Sequence, residues 1–164
     1  MTKGWSGVMA FFSAALASLG GFPEPAPTGD FVWPLDPRPT VVRPFEAPPE
    51  PWAAGHRGVD LAGAEGQAVR AAGPGTVSFS GVIAGRGVIA IQHAGGRRTT
   101  YEPVEDRDPK GTIESPGDRI GSLSAGGHCG ATPCLHWGLL VGTDAYRDPL
   151  TLVEDRRVRL LPLG

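Results

Sequence analysis

No block of basic residues interrupts this 164-residue chain, whose formal net charge is −2 and whose isoelectric point is about 6.1. Nucleic-acid binding therefore has no electrostatic support. Long apolar runs are missing too. The longest, from Val8 to Leu16, is too short to span a bilayer as a helix, so no transmembrane span is expected. After the first twenty residues no stretch sustains a helical periodicity, and no internal repeat is visible. Cysteine is scarce: Cys129 and Cys134, five apart, are the whole complement. In an oxidising compartment they would close "CGATPC" as a local disulfide; in a reducing one they would be two separate thiols. A redox or metal-sensing domain built on free thiols would rest on these cysteines alone and would need the reducing compartment.

Glycine and proline are abundant instead, at 25 and 17 residues. Ten of the 17 prolines fall between Pro23 and Pro51, so the remainder is rich in glycine only. The chain divides accordingly. Residues 1–20 carry Lys3, the apolar stretch and "ALA" at 15–17, the pattern of a secretory signal peptide. Residues 21–30 read as a Pro-rich linker. In 31–51 prolines alternate with apolar pieces, which suits a sheet edge and excludes a central strand. From Ala68 onward, "TVSFSGVIA", "VIAIQH", "RRTTYE", "RIGSLS" and "CLHWGLLVG" read as strands, several joined by Gly-rich hairpins such as Gly85-Arg86-Gly87. Residues 103–118 read as a polar loop, and "RVRLLPL" in 154–164 as a last strand or a tail. The expected fold is all-β: a small antiparallel sheet or sandwich over 31–153, with an open groove.

Three residues carry chemistry. His56 and Asp60 stand in "GHRGVDL", and His136 stands in "CLHWGLL". Imidazole nitrogen and carboxylate oxygen are ordinary zinc ligands, and three protein ligands leave the open position that a catalytic zinc needs. Each fragment alone is weak. Their order, the strands between them, and their glycine and apolar flanks make the set a candidate metal site.

The same blocks resemble the lysostaphin/LytM-type zinc metallopeptidases, family M23, which cut peptide cross-links in peptidoglycan. The family pattern is G-x-x-H-x-G-x-D, then T-x-Y-x-H-L, then H-x-H with apolar flanks. "WAAGHRGVDLAGAEGQAVRAAGPGTVSFSG" matches the first block, "GVIAIQHAGGRRTTYEPV" the middle, "PGDRIGSLS" the connection and "CLHWGLLVG" the end. The resemblance covers 31–153 and is strongest over 52–142. It implies a duplicated-hybrid-motif β domain with zinc on His56, Asp60 and His136. The family's two assisting histidines are both replaced, by Pro103 after "TTYE" and by Cys134.

The expected activity is therefore an exported zinc metalloendopeptidase acting on peptidoglycan peptides in the cell envelope. The alternative is a catalytically impaired module that binds wall or regulates a partner hydrolase, with zinc as a structural ion. His128 and Glu102 are candidate substitutes for the lost imidazoles. Arg57 and Tyr101 are candidates for the substrate groove. Alternation along the strand turns Trp137 away from His136 and into packing, and His93 reads as a hydrogen-bonded strand-end histidine. A monomer is expected.

Overall fold

Short runs rich in β-branched and apolar residues between tight Gly turns produce strands here. The computed structural model describes residues 31–50, 52–127, 129–130 and 132–153. The signal-like segment, the linker and the 154–164 strand or tail lie outside them. The strands are β1 Val41–Arg43, β2 Gly58–Ala62, β3 Ala68–Arg70, β4 Gly75–Ile83, β5 Arg86–Gln92, β6 Arg97–Glu102, β7 Val104–Glu105, β8 Ile113–Glu114, β9 Arg119–Leu123, β10 Cys134–Val141 and β11 Ala145–Arg147. Helix among the described residues is confined to two 3-10 turns, Ala94–Gly96 and Pro149–Leu152. No helix among them is long and apolar enough to cross a membrane.

One sheet of eight strands runs β1-β2-β10-β6-β5-β4-β8, with β11 paired to the far half of β10. A second sheet of three runs β3-β9-β7, and every pairing among the described residues is antiparallel. The fold class is all-β, as the sequence pattern requires. The Pro-rich segment lies where prolines can lie: β1 pairs with β2 alone and ends the sheet, while Phe31, Trp33, Val41 and Phe45 pack on the core. The β4–β5 turn falls one residue earlier than the sequence suggests, on Ala84 and Gly85, which both take positive φ (49° and 79°). A two-residue hairpin needs positive φ at both central residues, and glycine supplies one of them without strain. Within the segment read as loop, β7 and β8 form; two residues are too few to show alternation.

Strand register separates core from site. Val59, Trp137, Tyr101 and Ile89 are directly opposite one another across β2, β10, β6 and β5, and all are fully buried. Val69, Val104, Ile120 and Leu123 of the small sheet belong to the same core. Moving one residue along each strand reverses the face. That step brings Asp60, His136 and Glu102 into line on the opposite face, with Arg43 of β1 across from Asp60.

A polar chain runs through the core. The Ala72 N–H donates to the Tyr101 hydroxyl (2.9 Å), which lies 2.8 Å from Thr99 Oγ1. Thr99 Oγ1 is 2.7 Å from His93 Nε2, and His93 Nδ1 is 2.8 Å from the Pro74 carbonyl. The ends fix the directions: the amide can only donate and the carbonyl only accept. Tyr101 therefore donates to Thr99, Thr99 to a neutral His93, and His93 to Pro74. Burial holds His93 below its ordinary value of 6.5. Glu114 is pushed the other way, up to about 7, by burial and the nearby carboxylates of Asp108 and Asp118. The signs are opposite. His93 supports the fold above pH 6.5, and that support is lost as pH falls below it, because the unfolded chain takes up the proton first. Glu114 supports the fold below its unfolded value of 4.5, and that support is lost as pH rises through about 7. Urea melts between pH 5 and pH 8 are expected to show His93→Gln removing the loss that sets in as pH falls below 6.5, and Glu114→Gln removing the loss as pH rises from 5 to about 7.

Candidate metal centre

Three polar atoms converge where β2 and β10 pair. Asp60 Oδ1 is 2.8 Å from His136 Nδ1 and 3.1 Å from His56 Nε2, and the two imidazole nitrogens are 3.1 Å apart. Direct pairing of His136 with Asp60 makes the first contact. His56 arrives from the residue run just before β2, where it bridges to Glu46. Its Nδ1 lies 2.7 Å from the Pro44 carbonyl, which can only accept, so in the neutral imidazole Nδ1 carries the proton and Nε2 presents a lone pair. That is the orientation an outer carbonyl imposes on a zinc-binding histidine. A proton on His136 Nδ1 would leave His56 Nε2 and Asp60 Oδ1 as two acceptors facing each other. A divalent cation held by these residues would turn all three contacts into spacings between ligands. Tetrahedral zinc would hold nitrogen and oxygen ligands about 3.3 Å apart, a few tenths of an ångström wider than observed. The residues fit the ion. His56 and Asp60 are buried, and His136 retains 13% side-chain exposure, which gives the cluster an open side.

Gly58 makes the arrangement possible. A Cβ there would lie 2.4 Å from the Trp137 carbonyl and 2.7 Å from His136 Nε2. Gly58→Ala is expected to force β2 and β10 apart, costing ~1–3 kcal/mol in urea denaturation and loosening metal binding measured by zinc titration.

Two cavities flank the cluster, and Arg43 lines both. One, of about 400 Å³, is walled by Val42, Asp60, Ala62 and the Cys129–Cys134 loop; the other, of about 440 Å³, by Gly55, His56, Arg57 and His136. Arg57 thus lies beside the cluster, with its guanidinium over the Tyr146 ring at 5.6 Å and Nη2 donating to the Ala53 carbonyl at 3.2 Å.

A match to the Peptidase family M23 model extends over residues 54–149 and takes in the whole cluster. The chain belongs to peptidase family M23. Proteins of Mycobacterium tuberculosis and Mycobacterium bovis, both of uncharacterised function, are each 48% identical to the M23 chain over 150 residues. That alignment covers 89% of this chain and 60% of each relative, so the chain spans about three fifths of the curated relatives it matches. Among solved structures, a zinc-containing peptidase from Vibrio cholerae is 25% identical with a TM-score of 0.56, covering 66% of this chain and 36% of that one. The catalytic domain of lysostaphin from Staphylococcus simulans shares the fold at a TM-score of 0.60 and 22% identity, covering 71% and 93%. A chain of the SpoIIQ–SpoIIIAH pore-forming complex does so at 0.63 and 18%, covering 77% and 92%.

Other site expectations divide on the M23 scaffold. Cys129 and Cys134 have their sulfurs 2.02 Å apart, a disulfide. Glu102 faces the site row opposite His136, and Arg86 Nε donates to its Oε2 at 3.4 Å. His128 lies outside the described residues. Tyr101 is not in the groove. It is fully buried in the core row, its hydroxyl is occupied by Ala72 and Thr99, and burial pushes it up to about 12. The reason is strand alternation: if Glu102 faces the site, its neighbour cannot. Arg43 and the Pro44 carbonyl are the site residues that sequence reasoning misses. A backbone carbonyl leaves no mark in a sequence, and Arg43 becomes visible only through its register with Asp60.

Proposed function

We propose that this chain is an exported zinc metalloendopeptidase acting on the cross-link peptides of peptidoglycan, with His56, Asp60 and His136 as the zinc ligands. The observation that carries the reading is the convergence of three lone-pair atoms within 3.1 Å of one another beside an open groove. Zinc held there supplies Lewis-acid polarisation of a carbonyl and acidifies water. The chain's own groups do the rest. Pro44 keeps the His56 tautomer, the β2–β10 ladder fixes Asp60 against His136, and Arg43 and Arg57 give the groove a cationic rim suited to a peptide bearing carboxylates. Glu102, in line with His136, is the proposed proton acceptor in place of the missing imidazoles. General-base assistance of this kind is worth ~10²–10⁴-fold, so Glu102→Gln is expected to lower peptide cleavage by at least ~10²-fold at unchanged zinc content. An extracytoplasmic location is supported by the disulfide and the signal-like segment, and we expect a monomer.

Replacement of the family's assisting histidines by Pro103 and Cys134 favours a second reading. In it the chain is a module that binds wall or regulates a partner hydrolase, and zinc is structural. Digestion of purified peptidoglycan, with products followed by mass spectrometry, separates the two. The peptidase reading expects new peptide ends that appear with zinc and vanish with a chelator. Zinc-loaded protein that yields no new ends but sediments with intact wall would overturn it in favour of the second.

A further inference from the structure

The disulfide lies beside the metal centre and shares only Asp60 with it, in a way the hydrolytic reading leaves unused. Cys134 precedes His136 by two residues on β10, so both side chains share the site face. The sulfurs of Cys129 and Cys134 and a carboxylate oxygen of Asp60 lie within 4.8 Å of one another. Cys134 is fully buried in the wall of the cavity that Asp60 also lines, whereas Cys129 is part-exposed. We propose that Cys134 is a latent fourth ligand of the same metal, and that reduction of the disulfide converts an open three-ligand site into a closed one. This rests on the His56–Asp60–His136 zinc reading.

The chemistry runs in one direction. A thiolate of a dithiol reductant attacks the accessible Cys129 sulfur. The Cys129–Cys134 bond breaks, a mixed disulfide forms on Cys129, and the electron pair leaves on Cys134 sulfur. The reductant's second thiolate then displaces Cys129, which takes a proton, and the reductant departs as a disulfide. The Cys134 thiolate is left beside a cation whose other ligands carry a single negative charge. A disulfide sulfur is a poor donor, but a thiolate is the ligand that zinc holds in closed tetrahedral sites. Four protein ligands remove the open position that hydrolysis requires. The reduced chain would therefore be held inactive, and oxidation would open the site.

Cobalt(II) substitution of the full chain tests this without reference to activity, because a thiolate ligand adds a sulfur-to-metal charge-transfer band in the near ultraviolet. The oxidised protein is expected to bind cobalt without that band. The band should appear after treatment with a phosphine reductant, and should be present without reductant in Cys129→Ser. Cys134→Ser should lack it in every condition. Cobalt bound by reduced wild type with no sulfur band would overturn the proposal while leaving the three-ligand reading intact. No cobalt bound by any form would overturn both. Reduced wild type carries the test if Cys129→Ser fails to fold.

Discussion

His136→Ala is expected to abolish zinc binding and, with it, the stability that zinc confers. The wild-type chain should purify or reconstitute with about one zinc, and the variant with close to none. Any ligand that binds only the folded state stabilises it by mass action, and at free zinc one hundred times the dissociation constant the gain is ~2.7 kcal/mol. For a chain of this size that corresponds to roughly 5–10 °C in melting temperature. The expected result is therefore a chelator-sensitive melting shift in wild type and none in the variant. The comparison also separates metal from packing. His136 is an edge member of the cluster with 13% side-chain exposure, and its removal leaves Trp137 and the core row in place. Chelated wild type and the variant should then melt within about 1 kcal/mol of each other, the usual scale for a substitution outside the core. A variant far less stable than the chelated protein would mean that the imidazole supports the fold directly. Asp60→Ala is the harsher change, because Asp60 is buried against both imidazoles.

How much of this was legible before the structure differs by residue. His56, Asp60 and His136 stand out in the sequence because zinc chemistry restricts ligands to few residue types, and the structure brings all three together. The edge position of β1 was legible from its prolines, since a residue without an amide proton cannot serve a central ladder. Tyr101 and Glu102 show where residue-by-residue reading stops. Tyr101 reads as a groove residue and Glu102 as a substitute for a lost imidazole, yet adjacent positions on one strand cannot face the same way. The pairing of Tyr101 with Trp137 decides which is buried. The roles of Arg43 and Pro44 depend on register and on a carbonyl, and neither is written in side-chain types. Strands β7 and β8 exist through their partners β9 and β4, not through any pattern of their own.

Restoring an imidazole at position 134 is expected to rescue the cleavage that Glu102→Gln removes. In Cys129→Ser/Cys134→His the new side chain would leave from the same site-facing position of β10, two residues before His136 and one row from Asp60. The cavity of about 400 Å³ beside Asp60 and Ala62 gives the ring room on its open side. The back of the position is tighter: Gly127 runs close enough that a Cβ there would lie 3.2 Å from Cys134 Sγ and 3.4 Å from the Pro103 ring. The imidazole must therefore turn toward the groove, which is the direction catalysis needs. A positioned acid–base group contributes ~10²–10⁴-fold. With Glu102 as the native proton acceptor, zinc-dependent cleavage of a cross-link peptide should change little in the double variant and rise by at least ~10²-fold when the same change is made on Glu102→Gln. Cys129→Ser/Cys134→Ala serves as the control for loss of the disulfide. Zinc content, measured on both, shows that the added histidine has not become a ligand. A large gain in the parent itself would overturn the role proposed for Glu102. Combining the two substitutions therefore reads out which group native catalysis depends on.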